Sequence, residues 1–118
     1  MRGMKKMTNQ IILVGRLVQD PEIKELENGN KTSYITLAVK RSYKNVNGEY
    51  DIDFITCRIW NGITDSVKEY CKKGDIIGVR GRIQRVNGND YTCNAYPILE
   101  IVAERVTFLS SRKETEEE

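Results

Sequence analysis

The chain has 118 residues, 39% hydrophobic and 31% charged, with a formal net charge of +2, which suffices for one compact core and not for two. No apolar run approaches the roughly 18 residues that span a bilayer, and Met1 to Met7 is basic without the apolar stretch of a signal peptide. There is no histidine, and Cys57, Cys71 and Cys93 are odd in number without metal-type spacing, so zinc and disulfide readings fail and a reducing cytoplasm fits.

Gln10 to Val18, rich in Ile, Leu and Val and broken by Asp20-Pro21, predicts a first strand. Glu27-Asn28-Gly29-Asn30 is a turn signal. Thr32 to Arg41 predicts a second strand, with Ile35, Leu37 and Val39 inward and Thr36, Ala38 and Lys40 outward. A polar connection through Asn47-Gly48 leads to the most informative stretch, Asp51 to Trp60. At strand period, Ile55, Cys57 and Ile59 point one way, while Phe54, Thr56, Arg58 and Trp60 point the other. Burial would favour Phe and Trp inside with Thr and Arg outside. Two large aromatics with an arginine between them therefore stand on the side expected to meet water. Rings on an open sheet face form a stacking platform, the arrangement that binds unpaired bases. The plain alternative is a second sheet or subunit that covers this face.

Ile63 to Gly74 predicts a short helix, with Thr64 or Asp65 as its cap, Ile63, Val67, Tyr70 and Cys71 as its apolar face, and Gly74 as its end. Lys72 and Lys73 complement the helix dipole. Asp75 to about Val86 predicts a fourth strand, with Ile77, Val79 and Ile83 on one side and Arg80, Arg82 and Gln84 on the other. Asn87-Gly88 suits a hairpin turn, and Tyr91 to Leu109 predicts a last strand with an irregular first half around Pro97. Residues 1–6 read as an N-terminal extension, residues 7–109 as the folded domain, and residues 110–118 as a disordered acidic tail.

Three strands, a helix and two more strands give an all-β class and the order of an OB-fold, a five-stranded Greek-key barrel whose second and third strands carry the ligand face. Small barrels of other topologies give similar strings. Residues 1–109 hold 17 basic against 13 acidic side chains, a mild excess that permits nucleic acid without demanding it. Arg58, between rings, is placed for a phosphate or cation–π contact. Arg41, Lys44, Arg80, Arg82 and Arg85 form a basic set around the second and fourth strands, and Arg16 and Lys31 belong to the first strand and the loop after it. Each of these is either a phosphate contact or an ordinary solvated charge. Without histidine or a carboxylate cluster on the aromatic face, an enzyme lacks its acid–base and metal-binding groups. Asp51 and Asp53 read as solvated residues at a strand start. A protein-interaction OB module with weak DNA affinity is the competing class.

Six segments in order carry a family likeness: Asn9 to Leu17 with Gln19-Asp20-Pro21-Glu22, Ile35 to Val39, Asp53 to Trp60, Lys72 to Asp75, Val79 to Gln84, and Val102 to Leu109. Together they resemble the bacterial single-stranded DNA-binding protein (SSB) family over residues 7 to 110. The resemblance implies an OB-fold that assembles as a homotetramer, wraps single-stranded DNA during replication, recombination and repair, and uses no cofactor and no catalysis. It implies stacking roles for Tyr43, Phe54 and Trp60, which fall on the family's aromatic positions. A further aromatic of some members would fall near Gly88, where this chain has none, with Tyr91 close by. Members usually end in a flexible linker and an acidic tip closing in an apolar residue, which recruits replication and repair proteins. This sequence ends in acidic residues at Glu118 without that tip, so recruitment by that route lacks its usual motif.

Overall fold

The computed structural model describes residues 6–86 and 98–111. Alternating apolar residues build β1 (Ile11–Leu17), β3 (Lys31–Lys44), β4 (Tyr50–Trp60), β5 (Ile76–Arg85) and β6 (Leu99–Ser110), with a two-residue β2 (Lys24–Glu25) and one helix, α1 (Asn61–Tyr70), between β4 and β5. The strands form one sheet in the order β1-β5-β6-β4-β3-β2, and β1 also pairs with β3, which closes the five long strands into a barrel. This is the OB-fold expected from the element order, with β2 as a short addition on β3 through Lys24↔Thr32 and Glu25↔Lys31. All pairings are antiparallel except β4 with β6, which meet in parallel at Cys57↔Ile101 and Arg58↔Val102.

The core is the inward half of each strand. Leu17, Ile35, Leu37, Cys57, Ile59, Ile77, Val79 and Ala103 are buried together with Val67 and Cys71 from the helix side. Burial of apolar area on this scale is the main term holding the barrel closed. Both thiols are free, and burial pushes the Cys57 thiol up to about 11. Gly15 is where β1 crosses from β5 to β3, and a Cβ there would lie 2.7 Å from the Ala38 carbonyl oxygen. A side chain at position 15 would therefore prise the closure apart, in line with the close approach expected of a glycine inside a strand.

The helix departs from its expected limits. It begins directly at Asn61, with Trp60 in the cap position and no side-chain cap bond. Asn61 takes a positive φ of 44°, which asparagine tolerates, and its side-chain oxygen accepts from the Lys31 amide at 2.9 Å. Neither Thr64 nor Asp65 caps the helix. Thr64 is fully buried, and its hydroxyl has no partner among the described residues. The inward face is Thr64, Val67 and Cys71, so Tyr70 points outward and is 65% exposed. Gly74 (φ 96°) serves the turn that follows, where Lys72 and Lys73 amides donate to Asp75 and Asp20. Ile83 keeps the inward parity of β5 yet is exposed, held at its backbone by the Asn9 side chain. Asn87-Gly88, Tyr91, Cys93, Pro97 and residues 112–118 lie outside the described residues. Within them, no helix is long and apolar enough to cross a membrane.

Candidate nucleic-acid interface

Strand period sets the outer surface of β3 and β4. Phe54 is 69% exposed while its strand neighbours Cys57 and Ile59 are completely enclosed. Trp60 ends β4 at the sharp turn into α1, and Tyr43 stands near the far end of β3 with most of its surface open. Across the hairpin the outward row is Tyr34↔Arg58, Thr36↔Thr56, Ala38↔Phe54 and Lys40↔Ile52. Thr36 and Thr56 share a hydroxyl hydrogen bond of 2.9 Å. Ala38 opposite Phe54 leaves the ring unobstructed on that side. Lys40 and Lys44 lie over Tyr50 at 5.1 and 5.8 Å from its centroid.

Arg58 lies between two rings, but the second ring is Tyr34 and not Phe54. Its guanidinium carbon is 4.7 Å from the Tyr34 centroid and 5.0 Å from that of Trp60. Nε donates to the Tyr34 hydroxyl at 3.1 Å, Nη2 donates to the same oxygen, and Nε lies 3.6 Å from a Glu100 carboxylate oxygen. Tyr34 was not among the aromatics singled out from the sequence. Its parity with Thr36, Ala38 and Lys40 was the signal that puts it on the outer face.

The other cations divide into three groups. Arg41 donates twice to Asp53, at 2.9 and 3.0 Å, and lies 3.7 Å from Asp51. These two aspartates are therefore partners of an arginine and not merely solvated. The Arg41 hydrogen bonds hold the Asp53 carboxyl below the usual carboxylate range, and Asp53 in turn raises Arg41. Arg82 pairs with Glu104 at 3.1 Å and donates to Gln84. Lys31 pairs with Asp65 on the helix at 3.2 Å, and Arg16 donates to the Gly74 carbonyl at 2.7 Å, which ties β1 to the turn after α1. Arg80 is exposed on β5, opposite Ile12 and Arg105, and makes no ion pair among the described residues. Arg85 closes the same strand opposite Leu99. β6 separates β5 from β4, so Arg80 and Arg85 do not join the aromatic row. Arg41, Arg58, Lys44 and the rings do share the β3–β4 hairpin.

Residues 8–109 match the model of the single-strand binding protein family. The chain belongs to this family. Single-stranded DNA-binding protein B of Bacillus subtilis (strain 168) is 39% identical over 107 residues, covering 90% of this chain and 94% of that one. Single-stranded DNA-binding protein 1 of Clostridium acetobutylicum is 41% identical over 107 residues, covering 90% and 97%. A Bacillus cereus single-stranded DNA-binding protein is 42% identical over 106 residues, which is 62% of its length. As a single-strand binding protein the chain is a DNA-binding protein and not an enzyme. Among the described residues no cluster of His, Cys, Asp or Glu could hold a metal ion.

Proposed function

We propose that this single-strand binding protein holds single-stranded DNA on the β3–β4 face of its barrel, stacking bases on Phe54, Trp60 and Tyr43. The observation that carries the reading is the exposure of Phe54 on a strand whose inward Cys57 and Ile59 are fully buried. A ring left in water on a stable barrel is available to a base, and every base offers a π-face, so the binding is tolerant of sequence. Lys40 and Lys44 on the same hairpin neutralise phosphate, which carries no sequence information, while Arg41 and Arg58 offer it less because carboxylates pair with them. Lys31 lies at the Trp60 end of the same hairpin, and Arg80, Arg82, Arg85 and Arg16 lie farther round the barrel, where a strand that wraps it would pass. The domain runs over residues 7–109, and its role is to shield single strands during replication, recombination and repair.

The protein acts as a homotetramer in a reducing cytoplasm. Ile12, Val14 and Ile52 are more than half exposed, and apolar side chains of that kind favour association with further copies. Pairing of Arg41, Arg58 and Arg82 with carboxylates lowers the charge offered to phosphate, which supports a second reading as a protein-interaction module with weak DNA affinity. One titration separates them. Trp60 is the single tryptophan, so its fluorescence is expected to quench strongly with oligo-dT and far less with duplex of equal length. Unchanged emission, with no retardation of single strands at low salt, would overturn the stacking reading and favour the second.

A further inference from the structure

Glu100 is a carboxylate beside the proposed DNA-binding face, where it would repel phosphate unless it does something else. It faces Arg58 at 3.6 Å and accepts from Gln84 Nε2 at 3.4 Å, while Gln84 is itself held by Arg82. Tyr34, Arg58, Glu100 and Gln84 thus form one polar chain across β3, β4, β6 and β5, four neighbours in the sheet. The Arg58 and Glu100 side chains are 24% and 21% exposed, about half the values for Arg41 with Asp53 (40% and 43%) and Arg82 with Glu104 (41% and 43%). Of these three pairs it is the least screened by solvent. The guanidinium it restrains lies against the Trp60 ring, where a cation binds the π-face of an indole.

We propose that Glu100 is a positioning residue for the DNA-binding face: it holds Arg58 as a wedge between Tyr34 and Trp60, so that Arg58 sets the pose of the Trp60 ring and is not a phosphate ligand. The inference rests on the stacking reading of Trp60. With its charge matched by Glu100 and two of its nitrogens engaged by the Tyr34 hydroxyl, Arg58 has little to offer a passing phosphate. It fills one side of Trp60 and leaves the other side for a base.

The test is the dependence of oligo-dT affinity on salt, since each phosphate contact to a single strand contributes about 0.7 to the slope of log K against log salt. Arg58→Met is expected to leave that slope unchanged while weakening binding several-fold and shifting the emission of free Trp60. Glu100→Gln is expected to steepen the slope by about 0.7 and tighten binding at low salt, because the released guanidinium reaches phosphate. A slope made shallower by about 0.7 in Arg58→Met, or one identical to the parent in Glu100→Gln, overturns the proposal. Should Arg58→Met lose its cooperative thermal transition, Tyr34→Phe takes its place. Removing only the hydroxyl that restrains Arg58 is expected to steepen the slope, and no change counts against the proposal. A parent protein that fails to bind oligo-dT refutes the stacking reading itself, whereas a binding parent with an unresponsive Glu100→Gln refutes only this one.

Discussion

On the inner side of β4, Ile55, Cys57 and Ile59 face the core, and the last two are wholly enclosed; on the outer side Phe54, Thr56, Arg58 and Trp60 alternate with them in contact with solvent. Both sides are built by alternate residues of one strand, so the backbone conformation does not distinguish them. The difference is what each side chain meets. The inner side meets other apolar groups of the barrel and contributes stability. The outer side meets polar side chains and water, and on the proposed reading keeps its aromatic area for a ligand.

Substitutions break this comparison in order of size. Ile59→Ala removes an enclosed side chain and is expected to cost about 2–5 kcal/mol of stability, read as a lower midpoint in denaturant unfolding. DNA affinity of the folded protein should change little. Phe54→Ala is expected to do the reverse, weakening oligo-dT binding by about 1–3 kcal/mol with an unchanged thermal midpoint. Loss of the thermal transition in Phe54→Ala would mean that the outer side is a covered core after all.

The Arg41 and Asp53 pair gives the smallest and most specific effect. Because Arg41 depresses Asp53, the pair's stabilisation is present above the ordinary carboxylate range and is lost only as pH falls through the lowered Asp53 value. Lowering pH from 7 to 5 should therefore not release Arg41. Asp53→Asn should release it at pH 7, raising affinity a few-fold at low salt and steepening the salt slope by about 0.7. An affinity rise through this pair between pH 7 and 5, lost in Asp53→Asn, would contradict the assigned ionisation.

Much of the comparison was legible in the sequence. Period two alone separates Phe54 and Trp60 from Cys57 and Ile59, and the element order gives the barrel. What period two does not give is register. Between Lys40↔Ile52 and Lys44↔Tyr50, β3 has three residues and β4 has one. Counting outward from the Asn47-Gly48 turn on the Lys44↔Tyr50 register sets Tyr34 opposite Trp60 and misses Arg58 by two positions. The carboxylate partners of Arg41, Arg58 and Arg82 stayed hidden for a related reason, since they depend on which strands lie side by side and not on spacing along the chain. The helix start was misread because Asn61 makes its turn through backbone conformation, leaving no side-chain cap to find.

The parallel contact between β4 and β6 bears on how the molecule comes into being. Cys57↔Ile101 and Arg58↔Val102 join segments with the whole of α1 and β5 between them, and contacts of such long sequence separation are slow to form. During synthesis from the N-terminus, the β3–β4 hairpin with its rings is made before β6 exists. Arg58 acquires Glu100 only when that final strand docks. Until then the nascent hairpin lacks part of the apolar cover of its inner side, and the arrival of β6, with Val102 and Ala103, completes that cover while the aromatic side stays open.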